Sequence, residues 1–189
     1  MVGVVFLLAL VAIVAVIAFW IMSLYNRLVS ARQQAEEAWS GIDVQLKRRT
    51  DLIPNLVETV KGYAGHENET LKSVTEMRSR AQGVPSGDVA ARAAAEGGLG
   101  AALGRLMAVA EAYPDLKADQ RFGDLQNTLG EIEGEIQMSR RYYNGATRQL
   151  NTMVESFPSN LIANQFHFNK RDYFELESDT ERAVPQVKF

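Results

Sequence analysis

The N-terminal stretch of this chain is uncharged and almost wholly apolar, and it limits the possible folds more than any other feature. Val4 to Met22 form an unbroken apolar run of 19 residues, and the first charged side chain is Arg27. At about 1.5 Å per residue such a helix covers roughly 28 Å, close to the ~30 Å hydrocarbon core of a bilayer. Trp20 and Tyr25 lie where an aromatic belt would meet the headgroups. We therefore predict a transmembrane anchor over residues 1–26, with Trp20, Tyr25 and Arg27 at the membrane interface.

A cleaved signal peptide is the main alternative to an anchor. It requires a basic start, a shorter apolar core and a small-x-small cleavage site, whereas this chain begins Met-Val-Gly and has no A-x-A after the run. The chain also lacks cysteine, which excludes lipoprotein processing, disulfides and thiolate metal sites. Because Arg27 and Arg32 follow the span and no charged side chain precedes it, the positive-inside rule predicts a single-pass protein with its C-terminal domain in the cytoplasm.

The sequence after the anchor has the 3–4 apolar spacing of helices. No proline occurs between Leu28 and Pro54, so the anchor is expected to continue into the first helix of the domain. Together they would form one lever of up to about 90 Å. Arg49 interrupts the apolar stripe of this helix, and Asp43 and Lys47 have the i,i+4 spacing of an ion pair.

Three more helices are predicted, at about Asn68–Gln82, Val89–Tyr113 and Asp119–Phe157. The last carries five heptads of apolar residues with one polar member, a pattern that must bury against partner helices. The predicted fold class is all-α: an N-terminal transmembrane helix that continues into an elongated antiparallel four-helix bundle, coiled-coil-like in its packing, over residues 27–158.

An irregular aromatic C-terminal tail is predicted over residues 159–189. It is dense in phenylalanine, including Phe166, Phe168, Phe174 and Phe189. We expect this tail to pack back on the bundle or, as the alternative, to dock on a neighbouring subunit or partner.

The side chains present give no pattern for catalysis. His66 and His167 are the only histidines, and neither has a metal-ligand spacing to a carboxylate or to another histidine. Glu131, Glu133 and Glu135 alternate with other residues on a helix, which spreads them over a solvent face. We therefore expect no catalytic residue, no cofactor, no metal site and no small-molecule substrate. A net charge of −3 argues against a nucleic-acid partner.

Four blocks of the sequence resemble the LemA family of bacterial membrane proteins. They are the run from Tyr25 to Glu67, AEAYPDLKAD from Ala110, RRYYNGATRQLNTMVESFPSN from Arg140, and the ending PQVKF. The resemblance implies a helical bundle tethered to the bacterial cytoplasmic (inner) membrane, and it carries over no catalytic residue. Matched polar positions are expected to serve in inter-helix hydrogen bonds or an interaction surface: Asp43, Arg48, Arg49, Asp51, Asn55, Arg140, Arg141, Tyr143 and Asn144.

Two functions are compatible with these features. The first is a non-enzymatic scaffold that self-associates into a homo-oligomer on the lipid bilayer and organises or remodels it. The second is an accessory or adaptor subunit of a membrane enzyme, such as a membrane-bound protease, which the family resemblance suggests. The first predicts contacts between copies of the chain, and the second predicts one dominant membrane-protein partner.

Overall fold

A computed structural model of the chain describes residues 1–175, and in this range it contains helices and no strands. The helices are α1 (Val2–Tyr63), α2 (Asn68–Gly83), α3 (Val89–Glu111), α4 (Pro114–Ala118), α5 (Gln120–Glu155) and α6 (Ser159–Gln165). The predicted all-α fold class is confirmed.

The first helix is continuous from Val2 to Tyr63 and includes Pro54. Its N-terminal part has a mean hydropathy of 3.2, is exposed throughout, and is the one segment within residues 1–175 that is long and apolar enough to cross a membrane. No helix break separates this span from the residues that follow, as expected from the lack of proline before Pro54. The helix ends at Tyr63, just before Gly65, as its glycines indicate.

The described chain divides into two compact units, and α1 and α5 contribute residues to both. One, here called the four-helix unit, comprises Ser40–Arg141 together with the described residues from Asp172 onward. Its main core joins the four longer helices α1, α2, α3 and α5 through buried side chains such as Leu56, Val74, Leu106 and Phe122, and the five-residue α4 adds Leu116. The short α2–α3 connection makes these two helices antiparallel neighbours.

The other unit, here called the anchor unit, comprises Met1–Trp39 and Tyr142–Arg171. It holds the apolar span, the C-terminal part of α5, all of α6 and the non-helical residues after it as far as Arg171. Its core is a small cluster of Leu28, Ala163 and Phe168, against which Met153 and Val154 also pack. The first residues after the span are therefore already part of a packed structure.

Two short helices were not predicted. Helix α4 begins directly at Pro114, which is well suited to the first turn of a helix because it has no N–H to leave unpaired. Helix α6 occupies the start of the tail, so the expectation of an irregular tail from Ser159 is wrong for Ser159–Gln165. The pattern in SNLIANQ is too short to show a helical period.

Candidate interaction sites

The four-helix unit contains a network of two arginines and three carboxylates contributed by α1, α3 and α5. Arg49 of α1 is 2% exposed, and its guanidinium donates to the carboxylate of Glu96, whose side chain is fully buried. The same guanidinium donates to Glu133 Oε1 at 2.7 Å. Arg92 Nε lies 3.0 Å from the second oxygen of Glu96, and Arg92 Nη2 lies 3.3 Å from Asp43 Oδ1.

Electrostatics keep Arg49 charged inside this network. Burial lowers the pKa of the guanidinium, but the carboxylates of Glu133 and Glu96 outweigh burial and the net shift is upward. Arg49 also donates to the backbone carbonyl of Glu96 at 3.3 Å. A buried charge is tolerated only when it is paired and hydrogen-bonded, so α1, α3 and α5 must meet in the register that brings these side chains together.

A second polar junction joins the end of α1 to the start of α5. Asp119 precedes α5, and its Oδ1 accepts hydrogen bonds from the backbone amides of Arg121 at 2.7 Å and Phe122 at 3.1 Å. This is the geometry of an N-cap. The other oxygen of Asp119 accepts a hydrogen bond from the Tyr63 hydroxyl at 2.7 Å. The hydrogen bond from Tyr63 is the largest cause of a lowered Asp119 pKa, followed by the Phe122 amide.

In the anchor unit, Asn151 of α5 clamps the backbone after α6. Its amide nitrogen donates to the carbonyl of Arg171 at 2.9 Å, and its amide oxygen accepts from the Arg171 N–H at 2.9 Å. The Arg171 guanidinium then reaches Glu36 Oε1 at 2.7 Å. These contacts join the segment that follows α6 to both α5 and α1.

Aromatic contacts accompany this clamp. Tyr25 meets Phe166 and Phe168 edge-to-face, with ring centroids 4.9 Å and 5.8 Å apart. Further along the same helices, Trp39 packs against the buried ring of Tyr143 at 5.4 Å. Rings at these separations and angles attract one another beyond simple burial.

The three residues predicted at the membrane interface lie at the C-terminal end of the apolar span. Trp20 is 47% exposed, Tyr25 is half-buried under the two phenylalanines, and Arg27 is exposed.

The other predicted site residues fall into three groups. Arg49, Tyr143, Phe168 and Phe174 are buried, and Asp43 is half-buried against Arg92. Arg140 and Asn144 are half-buried, while Phe166 is 51% exposed despite its contact with Tyr25. A final set is exposed: Arg48, Asp51, Asn55 and Arg141. Phe189 lies outside the described residues.

Two expectations about charged residues are wrong. Asp43 pairs with Arg92, and Lys47 pairs with Asp51 at 3.6 Å, so the expected Asp43–Lys47 pair does not form. Glu133 does not belong to a purely solvated face, because it is half-buried and bonded to Arg49. An i,i+4 spacing indicates only which residues can meet within one helix, and a partner on another helix competes for the same carboxylate.

Arg92 and Glu96 are not among the predicted site residues, although the sequence contains a signal for them. The buried stripe of α3 runs through Leu106, Leu103 and Leu99, and continuing the 3–4 spacing backward reaches Glu96 and then Arg92. Charged residues in a core stripe of one helix, together with Arg49 in the stripe of another, indicate a buried ion network.

The described residues hold no group of three or more histidine, aspartate or glutamate side chains suited to a metal ion. His66 follows the end of α1, and His167 follows α6 with a positive φ of 57°. The polar groups brought together in the described residues pair with one another in ways that join helices.

These features define a class: a membrane-associated helical protein with one candidate span among its described residues and polar junctions that hold its helices together. More specifically, the chain belongs to the LemA family, whose model matches residues 38–189. Similar curated proteins include the magnetosome protein MamQ 2 of Paramagnetospirillum magneticum, 27% identical, with the alignment covering 98% of this chain and 78% of that protein. MamQ of Magnetospirillum gryphiswaldense is 25% identical at the same coverage.

Protein LemA of Metamycoplasma hominis is another relative, 25% identical over 94% of this chain and 80% of its own length. The family match confirms the resemblance noted in the sequence. It also places the ion network and the Asp119 junction inside the matched region, since both lie after residue 38.

Removing one carboxylate from the buried network should destabilise the four-helix unit. Glu96→Gln keeps the size of the side chain but leaves Arg49 without its buried counter-charge, and breaking a buried pair in this way costs about 3–5 kcal/mol. The free energy of unfolding is measured by urea titration of helical circular dichroism in detergent. Glu76→Gln is the matched control, because its pair with Lys72 at 3.7 Å is exposed and is worth at most about 0.5 kcal/mol. Equal unfolding midpoints for the two variants would contradict the account.

The Asp119 junction should give a distinct titration. Because its pKa in the folded protein is below the ordinary 3.8, its stabilising contribution is complete above pH 3.8 and is lost as the pH falls through the lower folded value. A carbon-13 NMR titration of the Asp119 carboxyl should show a midpoint below 3.8 that moves upward in Tyr63→Phe. The idea fails if the midpoint is the same in both proteins.

Proposed function

We propose that this protein is a non-enzymatic, membrane-anchored scaffold that self-associates on the cytoplasmic face of the bacterial inner membrane. The family match and the apolar span support membrane association. Self-association, and any organisation of the membrane that follows from it, is supported chiefly by one surface of α3.

That surface is a line of small side chains that faces away from the core of the four-helix unit. Its members are spaced alternately by four and three residues, as in a helix–helix seam: Ala90, Ala94, Gly97, Ala101, Gly104 and Ala108. All are exposed except Gly97, which is half-buried. We call this line the α3 small-residue stripe. Small residues at this spacing let a second helix approach closely, and copies of the same stripe can pair with one another.

The glycines in the stripe are not explained by packing within one chain. A β-carbon added at Gly97 or Gly104 would meet nothing within 4 Å. Each glycine in a helix interior costs about 1 kcal/mol relative to alanine, so alanine would stabilise α3 without a clash. Gly98 is different, because a β-carbon there would lie 3.3 Å from the sulfur of Met77. The stripe glycines leave room for a neighbour outside the chain. Other helical glycines such as Gly130 are equally open, so it is the alternating four-and-three spacing of the stripe that supports a second copy as this neighbour.

Crosslinking tests this proposal directly, because the natural chain contains no cysteine. Ala101→Cys in native membranes, treated with a short bis-maleimide, is expected to give a product of twice the chain mass. Adding Gly104→Leu should abolish that product by filling the stripe. Gly130→Leu is the matched control: it is also an exposed helical glycine with open space around it, but on α5. Leucine favours helix over glycine, so neither change should unfold the protein.

The outcomes separate the two candidate functions. A product at twice the chain mass that is lost with Gly104→Leu and retained with Gly130→Leu supports self-association. Products of other masses alone would favour the adaptor to a membrane enzyme, and no crosslink at Ala101 would remove the α3 stripe as an interface. The same cysteine reports orientation: a membrane-impermeant maleimide should label it in lysed cells and not in intact ones.

A further inference from the structure

Three large apolar side chains are exposed around the α5–α6 turn. Phe157 is 79% exposed, Leu161 is 59% exposed and Phe166 is 51% exposed. We call these three residues the apolar foot. We propose that the foot inserts into the headgroup region of the same bilayer that α1 spans, so that the anchor unit touches the membrane at a second place. This proposal does not depend on self-association.

The antiparallel register of α1 and α5 places the foot beside the end of the span. Trp39 packs on Tyr143, and nearer the membrane Met153 and Val154 pack against the cluster that contains Leu28. Helix α5 ends at Glu155, and Phe157 lies two residues later in the turn before α6, the helix that is followed by the Phe166–Tyr25 contact. Leu24 is only 9% exposed, although the span before it is exposed, so other parts of the anchor unit already cover α1 at that level.

The depth of these residues follows from the length of the apolar run. If the hydrocarbon core ends near Met22, each headgroup layer extends about 5–8 Å beyond it. Tyr25 lies about 4.5 Å and Leu28 about 9 Å further along the helix axis. Phe166 contacts Tyr25 directly, and α6 packs through Ala163 on the cluster that contains Leu28. The foot is therefore held within or at the edge of the headgroup layer.

The chemistry of the segment suits this position. Ile162 and Ala163 turn toward the cluster, while Leu161 points outward and is followed one helical turn later by the exposed Asn164. A short helix with one face against protein and an apolar side chain on another can rest at a bilayer interface, where apolar groups sit about 5–10 Å into the headgroup–acyl boundary. Exposed apolar residues gathered next to a transmembrane span are continuous with a surface already in lipid.

The test uses the full chain in nanodiscs that hold one copy each, so that lipid and not a second copy can cover the apolar foot. Separate cysteine variants, Phe157→Cys and Leu161→Cys, carry an environment-sensitive fluorophore, and the lipids carry a spin-label quencher on the acyl chain. Tyr142→Cys is the matched control. It is an aromatic residue of the anchor unit with 59% exposure, but it neighbours the Trp39–Tyr143 pair, about 25 Å beyond Met22 along α1.

We expect the quenching lipid to reduce fluorescence at Phe157, at Leu161 or at both, and not at Tyr142. Adding Leu161→Asp to the Phe157 probe should reduce the quenching, while α1 keeps the protein in the disc. Absence of quenching at both foot positions would overturn the proposal. So would equal quenching at Tyr142, since contact would then not be specific to the foot. Circular dichroism of each labelled protein confirms that it is folded.

Discussion

The pairing of Arg49 with Glu96 is the interaction on which the four-helix unit depends. Arg49 is carried by α1 and Glu96 by α3, and both are almost completely removed from solvent. Apolar side chains alone would allow helices to shift by a turn at modest cost, because one leucine replaces another. A buried guanidinium allows no such shift, since it must meet its carboxylates or remain unpaired in an apolar interior. Glu133 adds the same requirement for α5, so three helices share one register.

Single polar side chains also join separate segments at two smaller sites. Asp119 caps α5 and also receives the hydroxyl of Tyr63 from the end of α1. In the anchor unit, Asn151 satisfies both backbone groups of Arg171. In each case one polar side chain joins two segments that are distant in sequence. These polar residues, several of them inside blocks that resemble the LemA family, are accounted for by helix joining.

The sequence was sufficient for the features that depend on local pattern. The all-α class, the continuity of α1 as far as Pro54 and the approximate bounds of α2, α3 and α5 follow from apolar period, proline and glycine. Features that depend on partners from other helices were harder to predict. The alternating spacing of Glu131, Glu133 and Glu135 indicates a solvent face and cannot show that Arg49 of another helix bonds to Glu133. Glu96 likewise depends on Arg49, a partner outside its own helix. Helix α6 could not be predicted, because seven residues are too few to show a helical period.

The inside of the molecule and two of its outer surfaces differ in how completely their side chains are paired or covered. Interior polar groups within the described residues are largely paired, whereas the α3 small-residue stripe and the apolar foot leave space or apolar surface unused within one chain. Small residues leave room for another helix, and bulky apolar residues beside a span suit lipid. These two surfaces therefore favour different neighbours, a second copy for the stripe and the bilayer for the foot.

The central claim is that copies of this chain meet through α3 on a membrane. The most direct measurement is imaging of particles extracted together with their native lipid, with the number of copies in each particle counted. The account predicts particles of two or more copies in which α3 of one copy lies against α3 of the next. Particles that hold a single copy with α3 uncovered, or in which a different protein covers α3, would contradict it.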